Sequence, residues 1–426
     1  MTPEVKQRIE QIRRGEVPEG YKKTALGIVP ANWIETTLGE IYTERNEPGN
    51  DSLPLLMVSI HSGVSDGEVA EEDLPRKAKR IEDKSQYKHA MPGDLVFNMM
   101  RAWQGAIGSV RTEGMVSPAY IVAKPNDMVD PIFMDYYMKM PRMISMIHRQ
   151  SYGVTDFRLR LYWDSFSPIP CVLPPIEEQK RIAEILSVQD TLISLQRKEV
   201  AAYQQLEKSF LAILLPKGGS NEPELRFKGF TDAWEQRKLG DITGKTYGGG
   251  TPKTSVHEYW GGSIPWIQSS NLTEHQLFDA GVQKYITDAG LQQSATQLVP
   301  KNSIAIVSHV GVGKLVFMPF EYTTSQDFIS LSDLTVDPVF ACYVIYKKLQ
   351  EDVHIVQGSA IKGITKAVLL NKEISVPGKE EQKAIGTLLQ SIDNLITLHQ
   401  RKADHTLTKK DVLMQLLMTG QLQVSV

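Results

Sequence analysis

Cysteine is scarce: the 426 residues hold two, Cys171 and Cys342. Each lies in an apolar, strand-like run, which suits buried thiols in a reducing compartment and excludes a disulfide framework or a cysteine metal site. Long apolar runs are missing as well, and the longest, such as Phe210 to Leu215, are far too short to span a bilayer. The N-terminal MTPEVKQRIEQIRR is charged and has no apolar stretch of the kind a secretory signal needs. Together these absences predict a cytoplasmic protein with no membrane association. A dominant charge is also lacking. The formal net charge of −3 excludes a small, uniformly basic nucleic-acid binder, although a basic face on an acidic remainder fits it.

Catalytic motifs are missing too. GVGKL, Gly311 to Leu315, lacks the first glycine of a phosphate loop and the Ser or Thr after Lys314. GGGTPKT from Gly248 lacks the strand-to-helix context of a dinucleotide fingerprint and reads as a flexible turn. No Asn-Pro-Pro-Tyr-like segment suited to gripping an amine for methylation is present. Asp66 with Glu82-Asp83-Lys84 crudely matches the acids and lysine of a metal-dependent nuclease, a spacing that arises readily by chance in a chain with 23% charged residues. The nine histidines show no metal-ligand spacing. A nuclease or methyltransferase in one chain is therefore disfavoured, and a binding protein is expected.

What the sequence does contain is itself, twice. LPPIEEQKRIAEIL at Leu173 to Leu186 returns as VPGKEEQKAIGTLL at Val376 to Leu389, with Glu178 and Glu381 standing 203 residues apart. Upstream, WIETTLGEI from Trp33 returns as WEQRKLGDI from Trp234, 201 residues on. Each Glu-Glu-Gln-Lys segment opens a long helix: acidic residues favour the positive end of the helix dipole, and the first copy then runs to Leu215 without Gly or Pro. Apolar residues recur at alternating four-three spacing through Ile182, Leu186, Ile193 and Leu214, and again through Ile385, Leu389, Ile392, Ile396 and Leu417. That is the seam of a two-helix coiled coil, interrupted by Gln189, Gln196 and Glu207 in one copy and by His399 and Thr406 in the other.

Between the repeats lie two mixed α/β stretches rich in short strands and turns. PLLMVSI, GDLVFNMM and AYIVAK read as strands in the first, and IPWIQSSNL, NSIAIVS, GKLVFMPF and DFISLSDL in the second. MPGDLVF from Met91 resembles VPKNSIA from Val299, and DPIFMDYYM from Asp130 resembles DPVFACYVI from Asp337, so the architectures should match. Their turns diverge, which suggests two related but different ligands.

With the TPEVKQRIEQIRRGEVPEGYKKTALGIVPANW opening and the ELRFKGFTDAW junction from Glu224, these doubled motifs make nearly the whole chain resemble the specificity subunit of type I restriction-modification enzymes. The resemblance implies an α+β fold. Two mixed α/β target-recognition domains would be joined by two long helices, which form an antiparallel coiled coil with pseudo-twofold symmetry. Residues 1–28 would be an N-terminal helical arm, 29–172 and 219–376 the two recognition domains, and 173–218 and 377–426 the helical spacers. Each domain would read half of a bipartite site in double-stranded DNA, and unequal loops would give an asymmetric target. The spacers would dock two copies of an adenine methyltransferase subunit, with a restriction and translocase subunit completing the complex. The chain itself would catalyse nothing and hold no cofactor. S-adenosylmethionine, ATP and Mg would belong to the partners.

On this resemblance, side chains able to reach base edges are expected at Arg101, Gln104, Arg158 and Arg160 in the first domain. In the second they are expected at His309, Lys314, Gln326 and Lys362. Subunit docking is expected at Glu177, Glu178, Gln179 and Lys180, and at Glu380, Glu381, Gln382 and Lys383. A scaffold that binds only proteins would leave the two divergent loop sets without a purpose.

Overall fold

The computed structural model describes residues 2–61, 63–65, 83–153, 159–217, 220–355 and 363–424. The chain divides into two compact units, Met1–Leu195 with Ala403–Val426, and Gln196–Lys402.

In the first unit four antiparallel strands lie in the order Tyr42–Arg45, Tyr120–Pro125, Leu95–Asn98, Ile107–Ser109. Successive side chains of a strand point to opposite faces, so the unbroken apolar run Leu95-Val96-Phe97 must be covered on both. It is: Leu95 and Phe97 join the main core with Phe133 and Met134, while Val96 joins a smaller cluster with Leu56 and Val116. Helix Pro131–Met138 supplies the main cover. Its start is set by sequence, since the Asp130 carboxylate accepts from the Phe133 amide at 2.8 Å and Pro131 occupies the first helical position.

The second unit repeats the order with Thr243–Gly248, Phe328–Leu334, Ser303–Val307 and Leu315–Met318. Ile304 and Ile306 face one core, Ala305 and Val307 another. Asp337 caps helix Pro338–Ile355 through the Phe340 amide at 2.9 Å, as Asp130 does in the first unit. This unit adds a three-stranded sheet of Lys284–Ile286, Trp260–Ile267 and Thr323–Thr324.

Two sequence expectations need correction. Of PLLMVSI only Val58–Ser59 is strand, because the residues before it make an isolated bridge and no ladder: the Leu56 amide donates to the Met115 carbonyl and the Met115 amide to the Pro54 carbonyl. Cys342 lies in the helix Pro338–Ile355, not in a strand, since the Asp337-Pro338 cap starts a helix whose covered face is as apolar as a buried strand. Both cysteines are free and buried, and burial pushes the Cys171 thiol up to about 12.

Strand Ile34–Thr37 pairs antiparallel with Pro170–Leu173, and Glu235–Lys238 pairs the same way with Glu373–Val376. The two ends of each variable stretch thus meet immediately before each long helix. Those helices are Ile176–Leu214, 39 residues, and Lys379–Met418, 40 residues. In the first unit Ile182 and Leu186 share a core with Leu417 and Met418, and the Lys410 ammonium lies 2.5 Å from Asp190. In the second, Phe210 and Leu214 share a core with Ile385 and Leu389, and His399 faces Glu199 at 2.9 Å. Within each unit numbers rise along one helix as they fall along the other, so the packing is antiparallel. Of the three interruptions expected in the first seam, Gln196 and Glu207 are 4% and 6% exposed and therefore lie within it, while Gln189 is half-buried.

Candidate nucleic-acid interface

The third strand of each sheet delivers the candidate residues. Beyond Asn98 the chain makes a tight turn, Ala102–Gln104, with Arg101 before it and Gly105 after it at φ 99°. Trp103 anchors the turn: its indole N–H donates to the Met100 carbonyl at 3.1 Å and its ring lies 5.3 Å from that of His148. With the tryptophan held inward, Arg101 and Gln104 are left exposed. Arg160 arrives from another segment. It exchanges backbone bonds with Tyr152, and the next residue, Leu161, donates its amide to the Met99 carbonyl at 2.9 Å. Arg101, Gln104 and Arg160 therefore gather at one end of one sheet. Arg158 lies outside the described residues.

The second unit builds the same end from different side chains. Beyond Val307 the loop 308–314 carries His309, and the Ile364 amide donates to the Ser308 carbonyl at 2.7 Å, as Leu161 does to Met99. The Ser308 hydroxyl donates to the Asp327 carbonyl at 2.8 Å, so its 3.0 Å contact with His309 Nδ1 has the ring N–H as donor. Nε2 is then the ring atom left for a ligand. Gln326 and His309 are both exposed and flank this Ser308 to Asp327 contact. Lys314 is partly buried, its ammonium donating to the Leu272 carbonyl at 2.9 Å, so it pins the loop as well as charging it. Lys362 lies outside the described residues.

Sequence reasoning missed several neighbours. Tyr152, 53% exposed, lies 5.2 Å ring to ring from Tyr162 beside Arg160, an aromatic surface suited to stacking or sugar contact. In the second unit Lys284 sits over the Trp260 and Trp266 rings at 5.9 and 5.7 Å. The signal for Tyr152 was its place a few residues before Arg158 and Arg160. For Lys284 there was none, since its partners come from another strand. Burial raises the Tyr120 phenol, against which the Arg101 cation pulls back.

The Glu-Glu-Gln-Lys residues divide in two. Glu178 and Gln179 are 4% and 1% exposed; Glu178 accepts from the Trp33 indole at 3.2 Å, and Gln179 accepts from the Asp130 amide at 2.9 Å while donating to the Met128 and Pro174 carbonyls. In the second copy Glu381 takes both Arg226 nitrogens at 2.9 and 2.7 Å, and Gln382 accepts from the Asp337 amide at 2.7 Å. These inner residues lock each long helix to the domain before it. Glu177, Lys180, Glu380 and Lys383 are exposed, Lys180 pairing with Glu177 at 2.7 Å, and remain open to a partner. Among the described residues no group of three or more His, Cys, Asp or Glu could hold a metal ion, and no helix is long and apolar enough to cross a membrane. Asp66 and Glu82 lie outside the described residues.

A family described as the type I restriction modification DNA specificity domain matches residues 231–407. The MjaIX type I restriction enzyme specificity subunit of Methanocaldococcus jannaschii is 31% identical over 185 residues, 41% of either chain. A second protein of that organism, named as the MjaX specificity subunit, is 24% identical over 95% of this chain and 97% of its own. The crystal structure of the M. genitalium type I S subunit matches with a TM-score of 0.56 at 12% identity, covering 93% of this chain and 97% of that one, and speaks for the fold alone.

Proposed function

Because the chain belongs to the family of type I restriction-modification specificity subunits, we propose that it chooses the DNA on which partner subunits act. Subunits of this family confer DNA specificity on a complex and are not its catalysts. Here residues 29–172 and 219–376 are the two target-recognition domains, 1–28 the N-terminal arm, and 173–218 and 377–426 the helical spacers. Each domain reads one half of a bipartite site in duplex DNA. The observation that carries this reading is the matched sheet end. Arg101, Gln104 and Arg160 stand at one copy of it, His309, Lys314 and Gln326 at the other. One architecture with different hydrogen-bonding side chains fits two different half-sites, hence an asymmetric target. Arg158 and Lys362 belong to the same reading by sequence position.

Two methyltransferase subunits dock on the repeated helices through the exposed Glu177, Lys180, Glu380 and Lys383, with the buried Glu178, Gln179, Glu381 and Gln382 holding those helices in place. A restriction subunit completes the assembly. The chemistry of methyl transfer and cleavage, with S-adenosylmethionine, ATP and Mg, belongs to those partners. The test is to co-express the chain with a type I methyltransferase subunit from the same genome and map adenine methylation across a genome. A split, asymmetric motif that needs both proteins is expected. Methylation by this chain alone, or by the partner alone at the same motif, would overturn the reading.

A further inference from the structure

The segment GGGTP, read from sequence as a flexible turn, is tightly enclosed at its second and third glycines, while a Cβ on the first would face open space. A Cβ on Gly249 would lie 1.8 Å from the Ser325 carbonyl oxygen, and one on Gly250 would lie 2.4 Å from the Thr296 nitrogen. The Gly250 amide donates to the Thr324 carbonyl at 2.8 Å, and the Trp266 indole donates to the Gly250 carbonyl at 2.9 Å. Glycine here serves close backbone approach, not freedom. The clamp fixes the next residue, Thr251, whose hydroxyl donates to Gln326 Oε1 at 2.7 Å. Both side chains are exposed at the sheet end described above, and Pro252 behind them is buried.

A glutamine amide can present its carbonyl and its NH2 side by side, the complement of adenine's N6 donor and N7 acceptor in the major groove. A free amide turns between two orientations, only one of which offers that pattern in a given pose. Here the Thr251 hydroxyl donates to Oε1, which anchors the amide through its oxygen and leaves the second lone pair and both N–H groups for a base. We infer, on the reading that this domain contacts DNA, that Thr251 is a positioning residue that presets the Gln326 amide for an adenine in one half of the target.

The test maps methylation by the full chain with its methyltransferase partner, comparing wild type with Thr251→Val and Thr251→Ser. The valine variant is expected to lose about tenfold of the discrimination at a single A·T pair of one half-site. The other half should be read as before, the thermal midpoint should be unchanged, and serine should restore the strict motif. A valine variant that keeps every position strict, or weakens all sites alike, overturns the role of Thr251 and leaves the DNA-specificity reading standing. A wild-type complex with no split motif overturns both. Should the valine variant fail to fold, Thr251→Ala carries the same prediction and the same two overturning outcomes.

Discussion

Each unit joins the first tyrosine of its Asp-Pro helix to an aspartate on the long helix that follows, and the third member of each trio differs. In the first unit the Tyr136 hydroxyl donates to Asp190 at 2.6 Å, and Lys410 closes the site with its ammonium 2.5 Å from the same carboxylate. In the second, Tyr343 donates to Asp393, and the position equivalent to Lys410 holds Glu207, hydrogen-bonded to Asp393. The counterparts Asp190 and Asp393, like Glu207 and Lys410, stand 203 residues apart. Burial first, and then the neighbouring Asp393, push the Glu207 carboxyl up to about 8. Tyr346 and Cys342 also feel this acid pair, and both are raised chiefly by burial.

The situation reverses at the start of each helix. Glu178 has only the neutral Trp33 indole, and burial raises its carboxyl, whereas Glu381 has the Arg226 guanidinium and the Trp234 indole nitrogen is left without a partner. Each copy thus pairs an acid with a cation at one of these two places and leaves a buried acid without one at the other, and the places are exchanged between the copies. The repeat preserves where polar groups are buried, and lets the charge balance drift.

The largest expected effect tests that reversal. Arg226→Met strands Glu381, 3% exposed on its side chain, and should cost about 3–5 kcal/mol in urea denaturation. Trp33→Phe removes a neutral donor and should cost about 1–3 kcal/mol. Equal losses would mean that the two starts are energetically alike. Gln179→Leu and Gln382→Leu probe what the copies share. Each strands a partly buried backbone amide at Asp130 or Asp337, and each should cost about 1–3 kcal/mol, the two agreeing to within ~0.5 kcal/mol. Unequal results would show that the shared bonds no longer do the same job.

The acid pair gives a pH dependence. A carboxyl raised on folding binds its proton more tightly in the native state, so its contribution is full below the ordinary 4.5 and is lost as pH rises to about 8. Stability measured from pH 5 to 8.5 should fall in wild type and fall less in Glu207→Gln, which should gain about 1–3 kcal/mol over wild type at the alkaline end. Parallel slopes would remove Glu207 as the source. The smallest effect is expected for Lys410→Met, about 0.5–1 kcal/mol, because Asp190 keeps 46% of its side chain in water. A loss above 3 kcal/mol would put this pair in the same class as Arg226 and Glu381.

Much of this was legible in sequence where one segment carries the signal. The Asp-Pro caps, the apolar third strands and the two seams announce themselves within a few residues. The inward turn of Glu178 and Gln179 was legible too. They precede Ile182 by four and three residues and so share its helix face, yet their charge and polarity suggested a surface. What could not be read were contacts between distant segments. Thr251 and Gln326 are 75 residues apart, and nothing local to GGGTP distinguishes glycine for close approach from glycine for flexibility. Lys314 fits by type the set expected to reach base edges, but its bond to Leu272 depends on a loop 42 residues upstream.

The short pairing of Ile34–Thr37 with Pro170–Leu173, and its counterpart in the second unit, joins strands well over 100 residues apart. The entropy of closing a loop grows only with the logarithm of its length, so doubling the enclosed segment would weaken such a closure by ~0.6 kcal/mol. Insertions and deletions inside the variable stretch are therefore nearly neutral for the helix that follows. Chain length can drift within the variable stretches without disturbing the register of the long helices that follow them.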